Sequence, residues 1–253
     1  YHLSQAAADL GTGDISPINN FPGTNLQEIF IRMEDNVTPT FFGTTSFFLI
    51  VNPIPTATIS GSVSKCFGET ATVSFTGTPN TRVTYTVDSG ANQTIDLDAS
   101  GSASITTPAL TADTTYTIIS VINLTTTCTQ TLTGSVLIEV IELPTATISG
   151  TTTVCEGSPD QSITFTGANG VAPYTFTYLD ANGASQTTAP SVGNSISIPV
   201  SAANDGVFTY TLVSVSSSTT PICSQNQTGI ATVTVNELPT ATITGGDSVC
   251  LNS

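Results

Sequence analysis

The sequence predicts an all-β chain of tandem β-sandwich domains, and three observations lead to this. Thr, Val and Ile, which favour strands, are abundant, whereas Lys, Arg and Met together number only four. Many segments alternate apolar and polar residues, the period of a strand with one buried face. The phrase Pro-Thr-Ala-Thr-Ile-Ser-Gly begins at Pro55 and Pro144 and returns, with Thr in place of Ser, at Pro239. Spacings of 89 and 95 residues are about the size of one sandwich domain.

Charge and hydropathy limit the classes of function. The 18 acidic and 3 basic residues give a formal net charge of −15, which disfavours nucleic acid and anionic membrane surfaces as partners. No 18 consecutive residues are apolar and Tyr1 opens no leader, so we expect neither a transmembrane span nor a signal peptide here. We expect the chain to be an excerpt of a longer, exported protein.

The repeat divides the chain into four predicted segments. Residues 53–142 and 143–237 are two full repeats, and residues 238–253 begin a third. Residues 1–52 are expected to be the C-terminal part of a sandwich of another type. There, Ser4–Leu10 predicts a helical turn, and Glu28–Glu34 and Ser46–Asn52 predict two strands.

Each full repeat predicts seven strands with alternating apolar residues. In the first repeat they are Thr56–Ser60, Thr70–Thr76, Arg82–Asp88, Gln93–Leu97, Ser102–Thr106, Thr114–Ile122 and Ser135–Ile141. The second repeat keeps the same phase. Its apolar positions include Ile163, Phe165, Tyr174, Phe176, Tyr178, Ile196, Ile198, Tyr210, Leu212, Ala231, Val233 and Val235.

One motif narrows the class of sandwich. The segment from Leu110 to Tyr116 is similar to the tyrosine corner of fibronectin type III and immunoglobulin-like domains, where a Tyr hydroxyl returns to the preceding loop. Tyr210 takes the equivalent place in the second repeat, although Asn204 stands where the first repeat has Leu110. The predicted fold is therefore a series of immunoglobulin-like sandwiches arranged end to end.

The five cysteines keep the period of the repeat. Cys66, Cys155 and Cys250 each lie eleven residues after their Pro, and Cys128 and Cys223 each lie sixteen residues before the next one. The simplest pairing is within repeats, Cys66 with Cys128 and Cys155 with Cys223, which leaves Cys250 unpaired in these residues. Each such bond would stabilise its domain by about 4 kcal/mol in the chain-entropy model.

A second pairing stays open. In a standard sandwich the loop after the first strand and the loop before the last lie at opposite ends, too far apart for a disulfide. Either the first strand is split, so that Cys66 turns back beside the start of the last strand, or the bonds join neighbouring repeats, as in Cys66 with Cys223. A zinc site is not expected, because there is no Cys-x-x-Cys and the single histidine, His2, is far from every Cys in the sequence.

No catalytic residues are predicted. Only His2 and Lys65 could serve as the base of a nucleophilic triad, and Asp96 and Asp98 are interpreted as a solvated pair on a strand. No cofactor or metal is predicted. A calcium site at the junctions is disfavoured, because their carboxylates are too sparse to supply six or more oxygen ligands. These carboxylates are Glu139, Glu142, Glu156, Glu237 and Asp247.

The repeats resemble a known family of surface proteins. The segments that carry the resemblance are Leu143–Cys155 (LPTATISGTTTVC), the run from Ser162 (SITFTG), the run from Pro173 (PYTFTY) and the run from Thr232 (TVTVN). They are similar to the immunoglobulin/PKD-like repeats of giant adhesins of gliding bacteria, which the type IX system secretes. Asn36–Gly43 departs from that family, since it holds no Cys where those domains often have one.

The resemblance implies a filament on the cell surface, associated with the outer membrane, that grips the substratum during gliding. Its expected partners are an external surface or polysaccharide, which it would bind through other domains, and the gliding and secretion machinery of the outer membrane. The filament itself is not expected to insert into the membrane. The tripeptides at Asp113 and Asp247 resemble the O-glycosylation acceptor of that phylum, so Thr114 and Ser248 are candidate glycosylation sites.

Two functions are expected to compete. The first is a non-catalytic stalk or adhesin segment, stiffened by a Pro at each junction. The alternative is a carbohydrate-binding or spacer module of a secreted polysaccharide-degrading enzyme. Such modules expose coplanar aromatic rings, so finding Tyr85, Tyr174 and Tyr178 exposed in a row would favour the alternative.

Overall fold

The computed structural model describes residues 1–18, 21–218 and 220–246, and these residues are nearly all β. This confirms the predicted fold class. Within the described ranges there is one helix, α1 (Gln5–Leu10). The strands are β1 (Gln27–Glu34), β2 (Phe42–Leu49), β3 (Ala57–Ser60), β4 (Val63–Cys66), β5 (Thr72–Gly77), β6 (Thr81–Val87), β7 (Gln93–Asp96), β8 (Ser102–Thr106), β9 (Thr114–Asn123), β10 (Thr129–Ile141), β11 (Thr145–Ser149), β12 (Thr152–Cys155), β13 (Gln161–Ala168), β14 (Tyr174–Leu179), β15 (Ser185–Thr187), β16 (Ser195–Val200), β17 (Gly206–Ser217) and β18 (Ser224–Asn236).

The first segment folds as a capped helical turn beside a hairpin. The Ser4 side chain accepts a hydrogen bond from the amide of Ala7, and Gly11 ends α1 in the left-handed conformation. Strands β1 and β2 pair antiparallel, with Glu34 opposite Phe42. β2 therefore begins earlier than the predicted Ser46–Asn52 and ends before the prolines of the junction.

Each full repeat has one three-stranded and one five-stranded sheet. The orders are β3-β5-β8 and β4-β10-β9-β6-β7 in the first repeat, and β11-β13-β16 and β12-β18-β17-β14-β15 in the second. In the second repeat Phe165 and Phe176 are fully buried, with ring centroids 5.6 Å apart, and Tyr178 packs against Phe165. This is the aromatic centre of a sandwich core whose position the alternating residues predicted.

The first strand of each repeat is split in two, and this corrects the prediction of seven strands. β3 pairs with β5, whereas β4 pairs parallel with β10 in the other sheet. Gly61 lies between β3 and β4 with φ +127°, and a Cβ there would lie 2.6 Å from the carbonyl oxygen of Thr72. A glycine is therefore needed where the chain crosses from one sheet to the other. Gly150 has the same role between β11 and β12, with φ +115°.

Contacts between Cα atoms divide the chain into two compact units. One comprises residues 1–60, 74–104 and 116–135, and the other comprises residues 61–73, 105–115 and 136–253. Among the described residues, each sheet draws its strands from one segment only. The segment boundaries that the repeat predicts remain a prediction.

Candidate functional site

The described residues contain one disulfide, between Cys66 of the first repeat and Cys223 of the second. Their Cα atoms are 5.5 Å apart and they are 157 positions apart in the sequence. Both residues are well covered, with 7% of Cys66 and 1% of Cys223 exposed. The bond is a second covalent connection between repeats that are already joined by the peptide chain.

The backbone holds Cys66 at the end of β4. Cys66 lies opposite Ile141, the last residue of β10, and the next amide, that of Phe67, donates to the Ile141 carbonyl oxygen at 2.9 Å. The Glu69 carboxylate accepts from the amide of Cys66 at 3.0 Å, and the Glu69 amide donates to the Cys66 carbonyl oxygen at 3.0 Å. The tight turn after β4 thus fixes the thiol at the end of the repeat where the chain leaves it.

Cys223 is held in the loop between β17 and β18. Its carbonyl oxygen accepts from the amide of Ser217 at 2.9 Å, and its own amide donates to the Ser217 hydroxyl oxygen at 3.0 Å. Ser217 is 1% exposed, so this pair of hydrogen bonds is shielded from water. The loop therefore presents Cys223 in one defined position.

The pairing predicted as simplest, Cys66 with Cys128 and Cys155 with Cys223, is wrong. β18 runs for 13 residues, about 40 Å at the rise of a strand. Cys223 comes directly before its first residue, and Cys155 lies opposite its last residue, Asn236. The two thiols lie at opposite ends of the same strand, far beyond the reach of a disulfide.

In the first repeat the two cysteines also lie at opposite ends of a strand of the same length. β10 also has 13 residues, Cys128 precedes it, and Cys66 pairs at its far end. The alternative in which a split first strand brings Cys66 beside the start of the last strand is wrong: the first strand is split, but Cys66 lies beside the end of β10, and the bond joins neighbouring repeats. The bond between Cys66 and Cys223 confirms the alternative in which disulfides join neighbouring repeats.

Among the described residues, two cysteines carry free thiols. Cys155 is exposed and Cys128 is partly exposed. Cys250, expected to be unpaired in these residues, lies outside the described residues.

The junction beside the disulfide is closely packed. Pro144 is buried, and the loop at Gly170 approaches it so closely that a Cβ there would lie 3.0 Å from the carbonyl oxygen of Glu142. The side-chain amide of Asn169 donates to the hydroxyl oxygen of Thr145 at 3.2 Å, and the Tyr174 hydroxyl donates to the backbone carbonyl oxygen of Asn169. These contacts hold the chain that enters the second repeat against the loop at Asn169 and Gly170.

Of the two candidate glycosylation sites, Thr114 is described and Ser248 lies outside the described residues. Thr114 is half-buried at the start of β9, and its hydroxyl donates to the carbonyl oxygen of Ala112 at 3.1 Å. The Asp113 carboxylate accepts from the amide of Val140 at 2.7 Å. Leu110 and Tyr116 are both buried nearby. Glycosylation of Thr114 and the hydroxyl contact of the tyrosine corner stay predictions.

The carboxylates considered for chemistry have structural partners. Arg82 donates two hydrogen bonds to Asp96, at 2.6 and 2.9 Å, and these lower the pKa of the carboxyl. The Ser100 hydroxyl and the Ser102 amide donate to Asp98 and lower the pKa of that carboxyl. Both carboxylates thus remain ionised at neutral pH. Asp96 forms a cross-strand ion pair with Arg82, and Asp98 holds the turn that contains Ser100. In the described part of the chain, no three potential metal ligands of the His, Cys, Asp or Glu type come together.

The three tyrosines that distinguish the two expected functions do not form an exposed row. Tyr85 and Tyr174 are 5% and 3% exposed, and Tyr178 is partly buried against the core of the second repeat. The rings are core residues of their sandwiches.

An open cleft of about 450 Å³ lies in the first segment, a feature that the sequence did not indicate. It is lined by Tyr1, Ile15, Ile18, Phe21, Ile29, Phe47 and Leu49. Within the described ranges, no helix has both the length and the apolar character needed to cross a membrane.

Several solved structures are similar to this chain. A structure concerned with the host cell surface retention of a 1.5-MDa bacterial ice-binding adhesin is 16% identical, with a TM-score of 0.42, over 83% of this chain and 74% of that one. An I-band fragment of titin is 13% identical, with a TM-score of 0.40, over 84% and 75%. Fibronectin type III-like modules of Clostridium thermocellum are 16% identical, with a TM-score of 0.30, over 75% and 100%.

Comparison with curated proteins finds no match. Among protein families, residues 1–55 match the family described as the Flavobacterium inter-domain disulphide bond domain.

Proposed function

We propose that this chain is a non-catalytic segment of an extracellular adhesive stalk, in which the disulfide between tandem sandwiches carries tension. The single observation that carries the proposal is the Cys66–Cys223 bond, a covalent connection between repeats in addition to the peptide linker. Such bonds persist in oxidising compartments, which supports a location outside the cell. A bond between two repeats also constrains the junction itself, where a bending load would act.

The finer form of the proposal is a filament for attachment and gliding, exported by the type IX system and held at the outer membrane. Support comes from the resemblance of both repeats to gliding adhesins and from the description of the family that residues 1–55 match. The gripping contact with an external surface or polysaccharide would lie on other domains. The buried tyrosines favour this function over a carbohydrate-binding module of a secreted enzyme.

If the disulfide carries tension, single-molecule force spectroscopy of the 253-residue chain held at its two ends should give a specific result. With the disulfide intact, tension passes from Cys66 directly to Cys223, so the residues between them are outside the loaded path. The change Cys66→Ser returns 157 positions to that path and adds about 550 Å to the fully extended length.

Cys155→Ser is the matched control, since it removes a free thiol and leaves the bond in place. Equal extended lengths for the unchanged chain and the Cys66→Ser chain would contradict the proposal.

The cellular part of the proposal has its own test. Antibodies against residues 53–142 are expected to label intact source cells. On gliding cells, the bound antibody is expected to move along the cell surface. Recovery of the epitope only in the culture medium, attached to a polysaccharide-degrading activity, would favour the alternative function.

A further inference from the structure

The free thiol at Cys155 occupies the same structural position in the second repeat as the bonded Cys66 does in the first. Cys155 ends β12 and lies opposite the last residue of β18, as Cys66 ends β4 and lies opposite the last residue of β10. The amide of Glu156 donates to the backbone carbonyl oxygen of Asn236 at 2.8 Å. This hydrogen bond matches the one from the Phe67 amide to the Ile141 carbonyl oxygen.

The turn that follows is also the same. The Gly157 amide donates to the carbonyl oxygen of Ala202 at 2.8 Å, and the Gly68 amide donates to that of Leu110 at 2.7 Å. The amide three residues after each cysteine returns to the carbonyl oxygen of that cysteine, at 3.1 Å for Cys155. The second repeat thus builds the same thiol-presenting turn.

The other two cysteines form a second matched pair. Cys128 precedes β10 as Cys223 precedes β18. The carbonyl oxygen of Cys128 accepts from the amide of Asn123 at 2.9 Å, as that of Cys223 accepts from Ser217 at 2.9 Å. Each repeat therefore has one cysteine of each type.

The two types lie at opposite ends of a repeat. The amide of Ala146, at the entry of the second repeat, donates to the Gln227 side chain near the start of β18, so Cys223 is at the entry end. Cys155 lies beside the last residue of β18, from which the chain leaves, so it is at the exit end. The observed disulfide joins the exit-end cysteine of one repeat to the entry-end cysteine of the next.

We infer that Cys155 is an inter-repeat disulfide site, and that its partner is the entry-end cysteine of a following copy of the repeat. The general rule is that the cysteine after the split first strand bonds forward, to the cysteine before the last strand of the next repeat. Cys155 is exposed, so its Sγ is accessible to a second thiol.

The chemistry is a thiol oxidation that balances with an ordinary disulfide oxidant. A bond forms between Sγ of Cys155 and Sγ of the partner cysteine, and two electrons and two protons leave the thiols. Oxidised glutathione takes them up and becomes two molecules of reduced glutathione, through a mixed disulfide.

The test is an extended chain in which residues 144–253 are repeated after Leu238. The copy carries Ile222→Val and Thr153→Ser, because both residues are exposed and these changes give the copied Cys223 and Cys155 peptides their own masses. The chain is refolded in reduced and oxidised glutathione, digested with pepsin at low pH without reduction, and mapped by mass spectrometry. We expect two bonds, Cys66 to the original Cys223 and the original Cys155 to the copied Cys223.

The first bond reports whether the extended chain has folded as described. Cys155→Ser in the original repeat is the matched control and is expected to leave the copied Cys223 as a free thiol, with Cys66 still bonded. A free Cys155 in a chain whose Cys66–Cys223 bond has formed would overturn the inference. So would a Cys155–Cys128 bond, or bonds within each repeat.

Discussion

At the scale of single residues, the second repeat depends on its aromatic core. Phe165 is 0% exposed and packs between Phe176 and Tyr178, with ring centroids 5.6 and 4.9 Å away. Removing the ring leaves a cavity that the closed sandwich cannot fill by collapse, since both sheets are fixed by their hydrogen bonds.

Phe165→Ala is therefore expected to lower the free energy of unfolding by about 3–5 kcal/mol. Urea unfolding followed by circular dichroism measures this. Val192→Ala is the control, because Val192 is 92% exposed and its change is expected to stay within about 0.5 kcal/mol. Equal unfolding midpoints for the two variants would show that Phe165 does not belong to the core of the second repeat.

Buried tyrosines set the response of the fold to alkaline pH. Burial raises the pKa of four hydroxyls, two in each full repeat: Tyr85, Tyr116, Tyr178 and Tyr210. In the unfolded chain a Tyr ionises at a pKa of about 10. The stability linked to these groups is thus complete below about pH 10 and is lost as the pH rises through the raised folded values.

The expected result is that the urea midpoint falls above about pH 10, together with a delayed ionisation of tyrosine in the absorbance at 295 nm. Tyr116→Phe is expected to reduce the alkaline loss of stability. Ionisation of all the tyrosines in one step near pH 10, in the folded chain, would contradict the assignment.

At the scale of elements, the split first strand decides where the bonding cysteine lies. Gly61 makes the crossing between sheets possible, because its φ of +127° and the nearby Thr72 carbonyl oxygen leave no room for a Cβ. Only after that crossing does β4 pair with β10 and bring Cys66 to the exit end of the repeat.

Gly61→Ala is expected to lower the free energy of unfolding by about 2 kcal/mol or more and to slow formation of the Cys66–Cys223 bond. Urea unfolding and the rate of thiol loss during refolding measure the two effects. Gly43→Ala is the control, since its φ is ordinary and no atom lies within 4 Å of the added Cβ. Equal stability and equal rates in both variants would show that the crossing tolerates a side chain.

At the scale of the whole molecule, the disulfide ties the stability of each repeat to its neighbour. If the second repeat unfolds alone, the bond still closes a loop of about 80 residues between Ile141, where β10 ends, and Cys223. In the chain-entropy model a closed loop of this length destabilises the unfolded state by about 4 kcal/mol.

The double change Cys66→Ser with Cys223→Ser is therefore expected to lower the unfolding free energy by up to about 4 kcal/mol. It is also expected to let the two repeats unfold in separate transitions. Equilibrium urea unfolding with probes in each repeat measures both effects. The control is Cys128→Ser with Cys155→Ser, which removes only free thiols. Identical unfolding curves for the two double variants would contradict the coupling.

Most of the fold could be predicted from the sequence. The alternation of apolar residues located six of the seven strands expected in the first repeat to within about two residues, because one buried face imposes a period of two on a strand. β10 was the exception at its start, since Thr129–Gly134 is a Thr-rich run with little apolar contrast. β4 was missed, because four residues with a Lys and no clear alternation give no such signal.

The sequence by itself determined the period, the sandwich class and the matched positions of the cysteines, since these follow from residue types and their spacing. Only the tertiary structure decided which thiols meet. Disulfide partners depend on which ends of two long strands come within about 6 Å, and equal spacing in the sequence is compatible with bonds within or between repeats. The split at Gly61 and the 13-residue length of β10 and β18 put the two cysteines of one repeat at opposite ends, so the bond joins one repeat to the next.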